Sequence, residues 1–165
     1  PLFDLLGMRV IVSRHALPGS VEADGFHWKT RTTVTPRVLN PATAIVHDGT
    51  RPPGDAVAGT NFRSHVWLPG TAAKDSACAQ GGGTAQIGDV AYRANDVAIA
   101  YTADRPSWLV LNEINAPGWW AEVDGNEVSL LQANGLFRAA CVPAGSHRLS
   151  FRFSPFRLLE AGWSR

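Results

Sequence analysis

Two carboxylates, Glu113 and Glu122, stand on apolar stretches either side of Pro117-Gly118. Cleaving a glycosidic bond needs two acids flanking it, one to protonate the leaving oxygen and one to attack or to activate water. A turn at Pro117-Gly118 could bring this pair together, but isolated carboxylates are common on strand surfaces. The expected use is therefore contact with sugar hydroxyls, and no catalytic residue is assigned. Ser146-His147 carries a nucleophile and a base, yet neighbours on a strand point to opposite faces and do not pair. No G-x-S-x-G elbow occurs. His147 is read instead as opening a strand and bonding the preceding turn.

The histidines at 15, 27, 47, 65 and 147 lack metal-ligand spacing. Asp48, Asp55, Asp96 and Asp124 sit beside turns, where aspartate caps backbone, and no calcium-loop array is present. Gly81-Gly82-Gly83-Thr84 has neither the spacing nor the lysine of a phosphate loop and reads as a flexible loop. No cofactor and no metal is expected. The tryptophans are Trp28, Trp67, Trp108, Trp119, Trp120 and Trp163. Indole faces stack on sugar C–H surfaces, whereas a bland reading puts Trp108 and one of Trp119 or Trp120 in the core. Successive strand residues cannot both face inward, so the other indole is exposed or covered. Cys78 and Cys141 are not in a C-x-x-C pair; they either form one disulfide across a long loop or are separate thiols, Cys141 packed in the core.

The scaffold that positions these groups follows from composition. Within 165 residues, 16 Gly and 11 Pro disfavour a helical bundle and favour turn-rich β structure. Hydrophobic residues at 45% and charged residues at 18% mark a globular chain, large enough to build its own core. A net charge of +1, with scattered basic residues, argues against nucleic acid as partner. No apolar run approaches the roughly 18 residues of a membrane-spanning helix. Pro1-Leu2-Phe3-Asp4-Leu5-Leu6 lacks signal-peptide character, and a start without Met leads us to expect a segment upstream.

Alternation defines the second half. Val97, Ile99 and Tyr101 alternate with small residues, and Leu149, Phe151 and Phe153 alternate with Arg148, Ser150 and Arg152. Trp108-Leu109-Val110-Leu111 is apolar at every position, as in a strand covered on both sides. Phe137, Ala139 and Cys141 share one face, with Arg138 on the other. Asp124-Gly125-Asn126 is a hairpin turn. A Gly125-Asn126 loop would set Val123 opposite Val128. An Asp124-Gly125 loop would instead oppose Glu122 to Glu127, and repulsion between those charges favours the first register.

In the first half, strands are expected at Met8–Ser13, His27–Val34, Ala42–His47 and Phe62–Leu68, with a break at Arg51-Pro52-Pro53-Gly54 and a long loop from Pro69 to Gly83. The whole is expected to be one all-β domain, an antiparallel sandwich of jelly-roll or immunoglobulin-like kind. Residues 1–84 form its less regular part and residues 85–165 its core strands.

The pieces Leu109-Val110-Leu111-Asn112-Glu113, Pro117-Gly118-Trp119, Val123-Asp124-Gly125, Asn134, Phe137-Arg138-Ala139, Val142-Pro143-Ala144-Gly145, His147 and Pro155 occur in an order that resembles the C-terminal extracytoplasmic domain of YfhO-like bacterial membrane proteins. Those are related to polytopic glycosyltransferases that use lipid-linked sugar donors. Leu5–Val12 is similar to the strand that opens that domain after a membrane span, whereas residues 14 to 90 align with nothing. Asn115-Ala116 departs from the aromatic residues usual before Pro117.

The resemblance implies a non-catalytic domain on the extracytoplasmic (periplasmic) face of the cytoplasmic membrane. Its partner would be the membrane-embedded part of the same polypeptide, with a further span near Gly162-Trp163-Ser164. It would help position an acceptor glycan or lipid-linked sugar, any transferase chemistry lying in the missing membrane part. The competing expectations are an independent carbohydrate-binding module and a purely structural packing domain. Candidate glycan contacts are Trp119, Trp120, Glu113 and Glu122.

Overall fold

The computed structural model describes residues 6–48, 52, 54–74, 76–79 and 81–157. The expectations for the first five residues, for much of the break around Arg51 and Pro53, and for Gly162-Trp163-Ser164 lie outside the described residues.

Two antiparallel sheets form the sandwich. One has five strands, ordered β11 (Asn126–Val128), β10 (Trp119–Val123), β14 (Gly145–Phe153), β8 (Asp96–Ala103) and β7 (Ala85–Arg93). The other has four, ordered β12 (Leu131–Ala133), β13 (Phe137–Val142), β9 (Ser107–Ile114) and β4 (Val38–Leu39). Between them lies an apolar layer in which Ile99, Leu149 and Phe151 of one sheet meet Leu109, Leu111 and Val142 of the other. The alternation read around Phe151 delivers this face, and each such large side chain contributes roughly 1.5–3 kcal/mol by leaving water.

The four-stranded sheet is buried on its far side too. Trp108, Val110, Phe137 and Ala139 pack there against Phe62, Val66, Leu68 and Cys78. This second layer explains why Trp108–Leu111 carries no polar position. Its cover is a parallel pair, β5 (Thr43–His47) with β6 (His65–Pro69), joined through the short helix α1 (Gly54–Ala58). A second short helix, α2 (Gly70–Lys74), follows β6 inside the stretch expected to be loop. Cys78 is disulfide-bonded to Cys141 of β13, fastening this cover to the sheet. Closing a loop of 63 residues is worth about 4 kcal/mol in the chain-entropy account.

Three expectations need correction. The hairpin between β10 and β11 turns at Asp124-Gly125, so Val123 faces Asn126 and Glu122 faces Glu127. Both turn residues have positive φ, 50° and 85°, the backbone of a tight primed turn that matches strand twist. The expected charge repulsion is relieved because Glu122 is paired with Arg152 and Glu127 with Arg157. Second, β5 and β6 run parallel, not antiparallel, because α1 carries the chain back before β6 begins. Third, the glycine run is packed, not flexible. The amides of Gly81, Gly82 and Gly83 donate to the carbonyls of Cys78, Ala42 and Pro106, leaving none for an anion. A Cβ on Gly83 would fall 2.3 Å from Asp104 Oδ1, so the close approach demands glycine.

The first strands build a separate small sheet, ordered β1 (Val10–Ser13), β3 (Phe26–Thr30) and β2 (Val21–Ala23). Its register puts Val12, Trp28 and Val21 in one row and Phe26 beside Ala23 on the same face. That face is in water: Val21 is 70% exposed and Trp28 44%.

Candidate functional site

The two neighbouring indoles of β10 leave the strand on opposite faces. Trp119 points between the sheets with Ala121 and Val123. There Arg138 lies over its ring, the guanidinium carbon 3.5 Å from the centroid, and Phe153 sits beside it at 5.6 Å. Arg138 comes from β13 and is buried. Its Nε and Nη2 donate to the Ile114 carbonyl at 3.2 and 3.1 Å, and Nη2 lies 3.6 Å from Glu113. Burial pushes the Arg138 pKa down, partly opposed by the Glu113 charge.

Trp120 points to the outer face. Arg152 and Arg157 approach its ring, at 5.7 and 4.6 Å from the centroid. Arg152 also bonds Glu122 at 2.8 Å and lies 3.6 Å from Asp96. The four candidate glycan contacts thus fall into two pairs, Trp119 with Glu113 through Arg138, and Trp120 with Glu122 through Arg152. Glu113 and Glu122 belong to separate ion-pair groups. Each indole carries at least one guanidinium against its ring, which a stacking sugar would have to share or displace.

Glu113 owes its position to a β-bulge. Leu111 pairs with Arg138 and Ile114 with Phe137, so Asn112 and Glu113 have no partner on β13. Bulges of this kind bend the strand and re-aim side chains at sheet rims. Here the bulge presents both residues to a cleft of about 720 Å³ whose other walls are residues 6, 7, 9, 34–37 and 63. Arg9, Arg37, Arg63 and Thr35 line it as well. Arg37 Nη1 lies 3.4 Å from Glu113, and Arg63 donates to the Val34 carbonyl at 3.1 Å. Asn112 Nδ2 donates to the Pro36 carbonyl at 3.1 Å and lies 3.4 Å from Thr35 Oγ1. Its Oδ1 is buried with no hydrogen-bond partner.

No protein-family model, curated protein or solved structure was found to match this chain in comparisons with all three. The site's chemistry is therefore read from its geometry.

A second recess, of about 500 Å³, lies at the opposite rim beside the other bulge, in β7 after Ile87. His147 lines it, with Tyr101 and Asp124. His147 Nδ1 meets Asp124 Oδ2 at 2.6 Å and Nε2 meets the Ala144 carbonyl at 3.0 Å. Both partners are acceptors, so the doubly protonated ring is the form that satisfies both contacts. The hydrogen bond to Asp124 raises the His147 pKa and lowers that of Asp124. A ring with no lone pair free cannot serve as general base or metal ligand in that state. The bond to the turn expected for His147 is present. Ser146 turns away to Thr102 Oγ1 at 2.9 Å. Burial pushes the Tyr101 phenol up to about 12. No group of three or more metal-ligating side chains occurs among the described residues.

Sequence reading named Glu113 but missed Arg37, Arg63, Asn112 and Arg138. A signal for Arg138 was present: it is the one charged residue in the otherwise apolar Phe137–Val142.

Proposed function

We propose that this is a non-catalytic domain that positions a glycan on the extracytoplasmic side of a bacterial membrane, as part of a YfhO-like, glycosyltransferase-related polypeptide. The cleft at the β9 bulge carries the reading. Planar polar groups with mixed donor and acceptor character suit sugar hydroxyls, which both give and accept hydrogen bonds. Glu113 supplies an acceptor, and Arg37 and Arg63 supply donors. The Cys78–Cys141 disulfide fits an oxidising compartment. The exposed apolar face of the first sheet offers the membrane-embedded part of the same polypeptide a surface to cover.

A non-catalytic assignment fits a cleft with one carboxylate among the described residues, itself paired to Arg37 and Arg138, and a second recess whose histidine has both nitrogens engaged. The test is titration of this chain with oligosaccharides followed by amide NMR shifts. Shifts should cluster at Asn112, Glu113 and Arg37, and Glu113→Gln should weaken binding about tenfold, as expected for loss of a charge-assisted bond. Shifts confined to the Trp120 face would favour an independent carbohydrate-binding module using Trp120 and Glu122. No shifts with any saccharide would leave a purely structural packing role.

A further inference from the structure

We infer that the cleft at the β9 bulge takes an acidic saccharide, one carrying a carboxylate or phosphate group, with Arg9, Arg37 and Arg63 cradling the oxyanion while Glu113 accepts from a neighbouring hydroxyl. This deepens the glycan reading and rests on it. The first ground is charge. Among the described residues, three guanidiniums line the cleft against a single carboxylate. That carboxylate is already shared between Arg37 and the buried Arg138, which contributes a further positive charge just behind the wall. The excess is local, because the whole chain carries only +1.

The second ground is the presentation of the arginines. Arg9, Arg37 and Arg63 are exposed and reach the cleft from three separate places in the fold: the approach to β1, the approach to β4, and the turn before β6. Arg63 is steadied by the Val34 carbonyl, and Arg37 by Glu113 and by the Tyr92 ring, 5.5 Å from its guanidinium carbon. The bonds to Val34 and Glu113 use one nitrogen of Arg63 and one of Arg37, and the Tyr92 hydroxyl engages Arg37 as well, leaving further N–H groups of each fork to bond oxygen. A planar guanidinium matches a carboxylate or phosphate in two-point fashion, which a sugar hydroxyl cannot do.

The third ground is the acceptor side. A free inorganic anion has no use for Glu113, whose carboxylate would repel it. A hydroxyl beside the acid would donate to Glu113 instead. The cleft volume, about 720 Å³, accommodates a short oligosaccharide and exceeds what a lone phosphate fills.

The experiment is calorimetric titration of this chain with trigalacturonate, glucose 6-phosphate, maltotriose and inorganic phosphate, at about 0.05 M and about 0.5 M salt. The expected result is at least tenfold tighter binding of one of the two acidic sugars than of maltotriose, reduced by added salt and by roughly fivefold or more in Arg63→Gln. Whether trigalacturonate or glucose 6-phosphate is preferred identifies carboxylate or phosphate as the recognised group. Arg9→Gln is the second variant, because its side chain is exposed and its loss leaves the Val34 contact of Arg63 intact. Equal binding of maltotriose and the acidic sugars would overturn the inference while leaving the glycan reading standing. Inorganic phosphate binding as tightly as glucose 6-phosphate would overturn it in favour of a simple anion site. Acidic-sugar binding unchanged in both arginine variants would place the site elsewhere and overturn it. Absence of binding by every saccharide would overturn both readings.

Discussion

Trp119 and Trp120 are neighbours in sequence, and each has gathered an arginine and a glutamate, yet the two groups are built inside out. In the inner group the arginine is buried and the acid is open: the Arg138 side chain is 4% exposed and that of Glu113 25%. In the outer group the acid is buried and the arginine open, Glu122 at 9% and Arg152 at 48%. The member left more open is therefore the acid in one group and the base in the other, and the open Glu113 is in turn met by Arg37. The Ile114 carbonyl accepts from Nε and Nη2 of this buried guanidinium and the Trp119 ring covers its face, while Nη1 is buried without a hydrogen-bond partner. A buried carboxylate on an open sheet face can instead be met by a flexible side chain lying over it. The inner group belongs to the architecture and shapes the cleft; the outer group is a sheet surface closed by long side chains.

Replacing the buried arginine is the strongest way to break this contrast. Arg138→Ala should cost about 3 kcal/mol, because it empties a site between the sheets and orphans a carbonyl. Urea denaturation reads the loss directly, and a change below about 1 kcal/mol would show that the guanidinium is solvated in a way its burial denies. Arg152→Ala should cost less, about 1 kcal/mol, since its charge is screened by solvent. Raising the salt should shrink the Arg152 effect and leave the Arg138 effect unchanged; equal salt sensitivity would erase the distinction between the two groups.

The smallest effect concerns the His147–Asp124 pair at the other rim. Its histidine pKa is raised above the ordinary 6.5, so its contribution is complete below that pH and fades as pH rises through the folded value. The Asp124 pKa is lowered below 3.8, so its contribution is present above that pH and fades as pH falls through the folded value. Melting temperature should therefore be flat with respect to this pair between 3.8 and 6.5 and decline beyond either edge. In His147→Gln the decline on the alkaline side should vanish. Parallel pH profiles for the two proteins would mean that the pair adds nothing to folding.

Much of the sandwich is legible in the residues because one side of each long strand faces oil and the other water. Leu149, Phe151 and Phe153 alternate with hydrophilic residues, and the apolar run at Trp108–Leu111 announces cover on both sides. Other parts are not legible in this way. The two-residue strand β4 is too short to carry a period, although its Val38 and Leu39 pair with Leu111 and Val110. The parallel course of β5 and β6 depends on α1, whose five residues give no helical periodicity. The Asp124-Gly125 turn was misjudged by weighing two like charges without the distant arginines that neutralise them. The site suffers the same limit. Glu113 can be picked out by type, but its partners come from residues 9, 37, 63 and 138, and a bulge leaves no mark in the alternation of a single strand. What the sequence holds is which faces are buried; what it withholds is which distant side chains meet at their rims.

The strand pairing of β4 also dictates an order of events during synthesis. Val38 and Leu39 find their partners only when residues 110 and 111 have been made, and the apolar residues of β6 wait for β9, β12 and β13. A nascent chain of about half this length therefore holds Leu39, Val66 and Leu68 with nothing to pack against. Such chains are slow to settle and prone to associate with one another. Maturation should thus be sensitive to anything that holds the early half uncovered for longer, and truncation before residue 142 should yield insoluble material rather than a smaller folded unit.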